Sequence, residues 1–304
     1  MTLNHAQIRA FQAVAEQGGF TAAARRLGVS QPALTVQVRA LEDAFQVQLF
    51  ERRGRSVRMT RIGAELHALT RRIALLEREA EDMLRAEGRL ERGRVRLAAD
   101  GPFHVMGLIQ SLRAELPALQ ITVAIGNSDS VLRALLDHEA EIGVLGEYPA
   151  DDRFAVLAAS RHPLRLMIPR DHPWAGRDSV VISEMDGQPM ILREPGSGTR
   201  RSIEAALSLA RVTPRIVLEI GSREAVREAV AHGLGLGVVQ EPELGHDDRI
   251  VSARLTGEAV DAGEFVLCLE ERRTSRLIAR LTAIVARWST TRAPDPVSAP
   301  ARNR

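Results

Sequence analysis

The sequence contains no lysine: every basic residue other than histidine is an arginine. We read that as a compositional bias of the genome and not as mechanism. Cysteine is nearly absent too. Cys268 stands alone, which excludes an internal disulfide and any cysteine cluster for a metal. It lies in the apolar run 264–269 and reads as a packed, inert thiol. No apolar run has the length of a membrane helix, and the N-terminus shows no charged-then-apolar leader. The chain therefore reads as a soluble, cytoplasmic protein with no membrane partner. Catalytic patterns are missing as well. Asp100 and His104 have no nucleophile in a recognisable motif, and GSGT at 196–199 lacks the lysine and spacing of a phosphate-binding loop. His162, His172 and His232 are scattered without metal-ligand spacing. The expectation is a protein that is not an enzyme and carries no cofactor and no metal.

What is present is enough for packed cores: 304 residues, 45% of them hydrophobic, which suggests about two or three domains. The small net charge hides a segregation. Among the first 61 residues Arg9, Arg25, Arg26, Arg39, Arg52, Arg53, Arg55, Arg58 and Arg61 face only Glu16, Glu42, Asp43 and Glu51. The chain beyond residue 96 is mildly acidic. An excess of about +5 on so short a segment suits a polyanion, although a solvated basic face is the alternative.

Apolar residues Leu3, Ile8, Phe11, Val14 and Ala15 predict a helix over 2–17, ended by Gly18-Gly19. Thr21 is the expected N-cap of a short alanine-rich helix, 21–27. Gly28 makes a tight turn, and Ser30 caps a third helix that carries Pro32 in its first turn and runs to Phe45. Two short helices joined by a glycine turn form a helix-turn-helix, whose second helix enters the major groove. Gln31, Pro32, Thr35, Gln37 and Arg39 are its expected exposed positions. Glutamine can pair with adenine, arginine with guanine, and a threonine methyl with the thymine methyl. Residues 49–60 predict a two-stranded wing with Gly54 at its tip. There Arg52, Arg53, Arg55 and Arg58 would meet phosphates or a minor groove.

Thr60 is expected to cap a long helix from Arg61 to about Gly88. Ile62, Leu66, Leu69, Ile73, Leu76, Ala80 and Met83 form a heptad seam along it, which needs a partner helix. Packing within its own domain is one option. A homodimer is favoured, because two-fold symmetry matches a palindromic site.

Domain boundaries follow: a winged DNA-binding domain over 1–60, a dimerising linker helix over 61–88 and a hinge over 89–93. An α/β domain then spans 94–290. Its alternating strands and helices argue for parallel sheets with crossover helices. Its first lobe is expected over about 94–160 and 268–290, its second over about 161–267. The proline-containing tail 291–304 is expected to be disordered.

The segment FTAAARRLGVSQPALTVQVRALEDAFQVQLFERRGRSVRMTRIGAEL, within residues 3–66, resembles the signature of LysR-type transcriptional regulators. Met59 and Ile62 stand where that family more often has leucine and alanine. RDHPW at 170–174, LREPGSGTR at 192–200 and AHGLGLGVV at 231–239 extend the resemblance to about residue 288. It implies a winged helix-turn-helix, a dimerising helix and an effector domain of two α/β lobes like type 2 periplasmic binding proteins. It also implies a homodimer or homotetramer acting on double-stranded promoter DNA under the control of a metabolite. DGPFHVMGLI, IGNSDSVL, SRHPL, LREPGSGTRR and EIGSREAVREAVAHGLGLGVV resemble, more narrowly, regulators associated with 2-aminoethylphosphonate catabolism.

In two-lobed α/β domains ligands lie beyond the carboxyl ends of strands, where helices begin. Four such joints carry small or polar residues: Asp100-Gly101-Pro102 with His104 nearby, Asn127-Ser128, Ser197-Gly198-Thr199-Arg200, and Ser222. Free amides and the positive helix end favour an anion there. Asp100 would take the ammonium of an aminophosphonate, and Arg200 would add charge. The same serines and threonine can be plain helix caps. Arg200 can equally pair with a neighbouring carboxylate, and His104 can be a packed histidine. Two further readings remain open: a regulator sensing a phosphorylated or sulfur metabolite of carbon or sulfur metabolism, and a solute-binding protein or enzyme on the same two-lobe fold.

Overall fold

The computed structural model describes residues 3–53, 56–85, 94–147 and 149–292, in two compact units, Met1–Arg89 and Leu90–Arg304. In the first unit, helix α1 (His5–Gln17) starts at Asn4, whose side chain accepts from the Ala6 amide, and ends at left-handed Gly18. Helix α2 (Phe20–Leu27) starts one residue before the expected position. Gly19 is its N-cap, with no side-chain bond. Thr21 is therefore inside the first turn and free to bond elsewhere. Helix α3 (Gln31–Phe45) is capped by Ser30, which accepts from the Ala33 amide, and has Pro32 in its first turn. The alanines of α2 let it pack closely. Ala23 and Ala24 meet Ala10, Ala13, Val14, Leu34 and Val38 in one cluster. Truncating a buried leucine there, such as Leu34, would cost about 2–5 kcal/mol.

Strands β1 (Phe50–Arg53) and β2 (Ser56–Met59) pair antiparallel, Phe50 opposite Met59 and Arg53 opposite Ser56. Gly54 and Arg55, the expected tip, lie outside the described residues, as do the side chains of Arg52 and Arg53. Thr60 does cap helix α4 (Arg61–Arg85): its hydroxyl accepts from the Gly63 amide at 3.1 Å and donates to the Gln48 carbonyl at 2.7 Å. Leu66 packs beside Ile8, Phe11, Leu41 and Leu49. Among the described side chains of the seam, Leu69 is 57% and Leu76 63% exposed in the single chain, and Ile62 and Ile73 are also exposed. The Met83 side chain and the hinge 89–93 lie outside the described residues.

The second unit begins as the sequence predicts, with β3 (Arg94–Ala99), α5 (Pro102–Glu115), β4 (Gln120–Ile125), α6 (Ser128–Leu136) and β5 (Ile142–Leu145). Strands β4 and β5 flank β3 in parallel. The next element departs from the all-parallel expectation. Strand β6 (Phe154–Pro169) is one continuous 16-residue strand. Its first half joins the first lobe and its second half the other lobe. Then come β7 (Ser179–Val181), β8 (Pro189–Arg193), α7 (Gly198–Ala210), β9 (Arg215–Ile220), α8 (Arg223–Ala231), β10 (Gly237–Gln240), β11 (Ile250–Thr256), β12 (Asp261–Leu269) and α9 (Arg276–Arg292). Strands β10, β11 and β12 all run antiparallel to β6. The sheet is mixed because the chain must cross between lobes and return, and β6 and β12 make that crossing side by side.

The lobes have separate cores. One gathers Val95, Leu97, Leu108, Ile142, Val266, Cys268 and Leu281. The other gathers Leu164, Leu166, Met190, Ile203, Leu236 and Leu255. Phe265–Leu267 pair with β5, so the return to the first lobe comes a few residues before the expected 268. Helix α9 continues to Arg292, past the expected start of the tail, and residues 293–304 lie outside the described residues. Among the described residues, no helix is long and apolar enough to cross a membrane.

Candidate functional site

The helix-turn-helix presents the first turn of α3. Ser30, Gln31, Pro32 and Arg39 are exposed, and Thr35 and Gln37 are half-buried. The Thr21 hydroxyl donates to Gln31 Oε1 at 3.1 Å, and the Thr35 hydroxyl donates to the Gln31 carbonyl at 2.9 Å. Thr21 thus orients the leading base-reading candidate, a role its expected place as a cap concealed. Val36 is 63% exposed on the same short stretch. Polarity-based reasoning passed over it, yet an apolar group here suits a thymine methyl. Glu42 faces inward and accepts from the Leu49 and Phe50 amides at 2.8 and 3.2 Å. One of the few acids of this segment therefore fixes the entry to the wing. Arg58 is exposed on β2.

In the second unit the structure brings several of the strand-to-helix joints together. The Ser128 hydroxyl, on α6, donates to Asp100 Oδ2 at 2.9 Å and accepts from the Gly198 amide of α7 at 3.1 Å. It links the two lobes. The Gly146 amide also donates to Asp100 Oδ2, at 2.7 Å, and the Asp129 amide donates to the Gly196 carbonyl at 3.2 Å. Space is tight: a Cβ on Gly146 would lie 2.4 Å from Gln240 Nε2, and one on Gly198 would lie 2.8 Å from Ser128 Oγ. Gln240, which the sequence reading missed, is fully buried on β10. Both polar atoms of its side chain, Thr199 Oγ1 and Asp100 Oδ1 make no hydrogen bond. Such buried groups cost about 1–3 kcal/mol each when left unsatisfied.

Other expected site residues do different work. Asp100 is not a free counter-charge, because Arg223 Nη2 stands 3.6 Å from its carboxylate and Arg223 also bonds its carbonyl oxygen. Arg200 turns away from the cleft to Glu204 at 2.8 Å, Glu219 at 2.7 Å and the Arg193 carbonyl at 2.9 Å. Neighbouring carboxylates on α7 and β9 outcompete the cleft for its charge. Ser222 is exposed and caps α8 through the Ala225 amide. Asn127 caps α6 through the Ser130 amide at 3.0 Å, and Ser197 caps α7 through the Arg200 amide at 3.3 Å. Gly101 and Pro102 open α5, and a Cβ on Gly101 would meet the Arg223 guanidinium at 2.9 Å.

His104 is fully buried and held on both sides. Its Nε2 lies 2.7 Å from Glu243 and its Nδ1 lies 2.8 Å from Glu264. Burial alone favours the neutral ring, but the hydrogen bonds to Glu243 and Glu264 outweigh it and push the imidazole up to about 10. The ring is thus held between two carboxylates inside the second unit. His162 reaches the same Glu264 oxygen at 3.0 Å. Histidines without ligand spacing in the sequence therefore converge in space. Arg201 adds a further bridge between lobes, to Asp129 at 3.0 Å and to Glu147.

A helix-turn-helix joined to a two-lobed α/β unit with a polar cleft defines a ligand-responsive DNA-binding protein. Residues 5–64 match the bacterial regulatory helix-turn-helix protein, lysR family, and residues 88–289 match the LysR substrate binding domain. The chain belongs to the LysR family of transcriptional regulators, and it is a DNA-binding regulator and not an enzyme. It is 32% identical to the RuBisCO operon transcriptional regulator of Allochromatium vinosum, across 77% of this chain and 78% of that protein. It is 33% identical to CbbR of Sinorhizobium medicae, across 79% of each. It is also 29% identical to CysL of Bacillus subtilis, across 79% of this chain and 81% of that protein. Its fold is like that of full-length OxyR from Pseudomonas aeruginosa, at TM-score 0.76 and 20% identity, with 98% and 99% of the two chains covered. It is also like that of CbnR complexed with its target DNA, at TM-score 0.71 and 23% identity, covering 94% of this chain and all of that one.

Proposed function

We propose that this regulator changes its action on promoter DNA when a small anionic metabolite enters the cleft between its lobes. The carrying observation is the set of buried, unbonded polar atoms on Thr199 and Gln240 beside the N-termini of α6 and α7. A ligand that satisfies them gains hydrogen bonds with little competition from water. Asp100, Ser128, Gly198, Thr199 and Gln240 are the proposed contacts. Gln31, Thr35 and Arg39 are the proposed base readers, with Pro32, Val36 and Gln37 shaping the same surface. Arg52, Arg53, Arg55 and Arg58 are the proposed phosphate contacts. The exposed seam on α4 is the proposed contact between copies in a homodimer or homotetramer. A regulator that acts on promoter DNA is proposed to work in the cytoplasm.

The aminophosphonate reading loses its main support, since Arg223 already neutralises the carboxylate meant for the ammonium. The named relatives, two of them RuBisCO operon or CbbR regulators, favour a phosphorylated or carboxylated metabolite of carbon metabolism. Calorimetry of the purified chain tests this. Heat with phosphorylated sugar acids and none with 2-aminoethylphosphonate is expected. The reverse result overturns the choice of metabolite. A gel shift on the DNA upstream of the gene, with and without the active compound, reads the regulatory response.

A further inference from the structure

Where β6 and β12 cross between the lobes, three side chains from three elements converge. His104 comes from α5, His162 from β6 and Glu264 from β12. One donor atom from each lies within 4.8 Å of the others. We propose that these three residues form a site for a divalent transition-metal cation such as zinc.

Two imidazole nitrogens and one carboxylate oxygen are a zinc-type donor set, and they disfavour the hard cations magnesium and calcium. Donor atoms in a tetrahedral zinc site stand about 3.3 Å apart, given metal–ligand bonds of about 2.0–2.1 Å. Glu264 Oε2 is 2.8 Å from His104 Nδ1 and 3.0 Å from His162 Nε2. Those two separations need widen by only a few tenths of an ångström to seat the ion, and the two histidine nitrogens lie within 4.8 Å of each other. The outer contacts fit as well. A metal-bound histidine characteristically donates its other ring N–H to a carboxylate. His104 Nε2 faces Glu243 Oε1 at 2.7 Å, and Glu243 is in turn 2.6 Å from Arg223 Nε.

Charge points the same way. Along this chain of contacts Asp100, Glu243 and Glu264 are carboxylates and Arg223 is the guanidinium. With neutral metal-bound imidazoles the named carboxylates outnumber the named guanidinium, which suits a cation. There is also an entry path. The side chains of His104 and Glu264 are 0% and 3% exposed, but that of His162 is 14% exposed. Ser160 Oγ stands 3.1 Å from His162 Nε2, close to where a fourth ligand or a water would complete the site. An ion here would tie both crossing strands to α5, so its occupancy would bear on lobe movement whichever metabolite fills the cleft.

The test uses the full chain, stripped with a chelator and dialysed against zinc. One zinc retained per chain, stabilisation of the chain by zinc and not by magnesium, and the visible bands of tetrahedral cobalt on substitution are the expected results. His162→Gln should lose the retained ion. Glu243→Gln should weaken zinc binding by roughly 10–100-fold. His246→Ala, on the exposed loop, should retain the ion. Equal zinc content in the wild type and His162→Gln would show surface binding only and overturn the proposal. So would a wild-type chain that retains no zinc, in which case protons alone hold the cluster. If His162→Gln does not fold, the wild-type cobalt spectrum still decides, because absent or octahedral bands exclude the site.

Discussion

Gln31 stands on the exposed first turn of α3 with its side-chain oxygen bonded to Thr21, so its amide is oriented before DNA arrives. Gln31→Ala is expected to relax preference at one base pair by about 1–3 kcal/mol, measurable by binding to a panel of single-substituted operators. Thr21→Val keeps the side-chain volume and removes the donor, and should weaken the same preference by a smaller amount. Arg58→Ala should instead weaken binding to all sequences alike and lower the salt dependence by about one unit of slope. If Gln31→Ala lowers affinity equally for every operator, the assignment of Gln31 as a base reader fails. Cys268 offers a different check at this scale. It is fully buried, and burial pushes its thiol up to about 11. Alkylating reagents should label the native chain only as fast as it opens, and label it quickly in denaturant.

Among the elements, α3 and α4 show how local signals and missing partners differ. Ser30 caps α3 as the sequence predicts, and Ser30→Ala should cost about 0.5–2 kcal/mol by urea unfolding. Helix α4 is legible as a heptad pattern, but a pattern does not say what covers it. Leu69 and Leu76 remain exposed in the single chain. Leu69→Glu should therefore leave the helical content unchanged and shift the chain toward monomer in light scattering. Unchanged mass at low concentration would assign the contact between copies to another surface. The second helix shows a limit of local reading. Thr21 is a good cap by residue type, yet the helix begins at Phe20, which packs against the buried cluster of the first unit. Burial of the phenylalanine outweighs the preference for a hydroxyl cap.

Over the whole second unit, the mixed sheet decides how the lobes communicate. Strands β6 and β12 cross together, and the contacts that join the lobes include Ser128 to Gly198, Arg201 to Asp129, and Arg223 to Asp100. Gly198 leaves little room. A methyl group there would stand 2.8 Å from Ser128 Oγ, and overpacking of this kind costs about 1–3 kcal/mol. Gly198→Ala should speed hydrogen exchange of the amides around 196–199 and weaken effector binding by roughly tenfold. Exchange as slow as in the wild type would mean that the Ser128 bridge does not hold the lobes together.

The sequence by itself determined the helices of the first unit to within a few residues, because caps, glycine turns and the heptad of α4 are patterns among near neighbours. It also located the helix starts that line the cleft, since strand-to-helix joints announce themselves by small and polar residues. The tertiary structure decided which of those residues meet. Asp100 and Ser128 come together, whereas Arg200 finds Glu219 and Ser222 remains a cap. It decided the buried network too. His104 is paired with Glu243 and Glu264 across 139 and 160 positions, and His162 with Glu264 across 102. Buried charges must find partners wherever the crossing strands bring them, and no periodicity in the chain records that requirement.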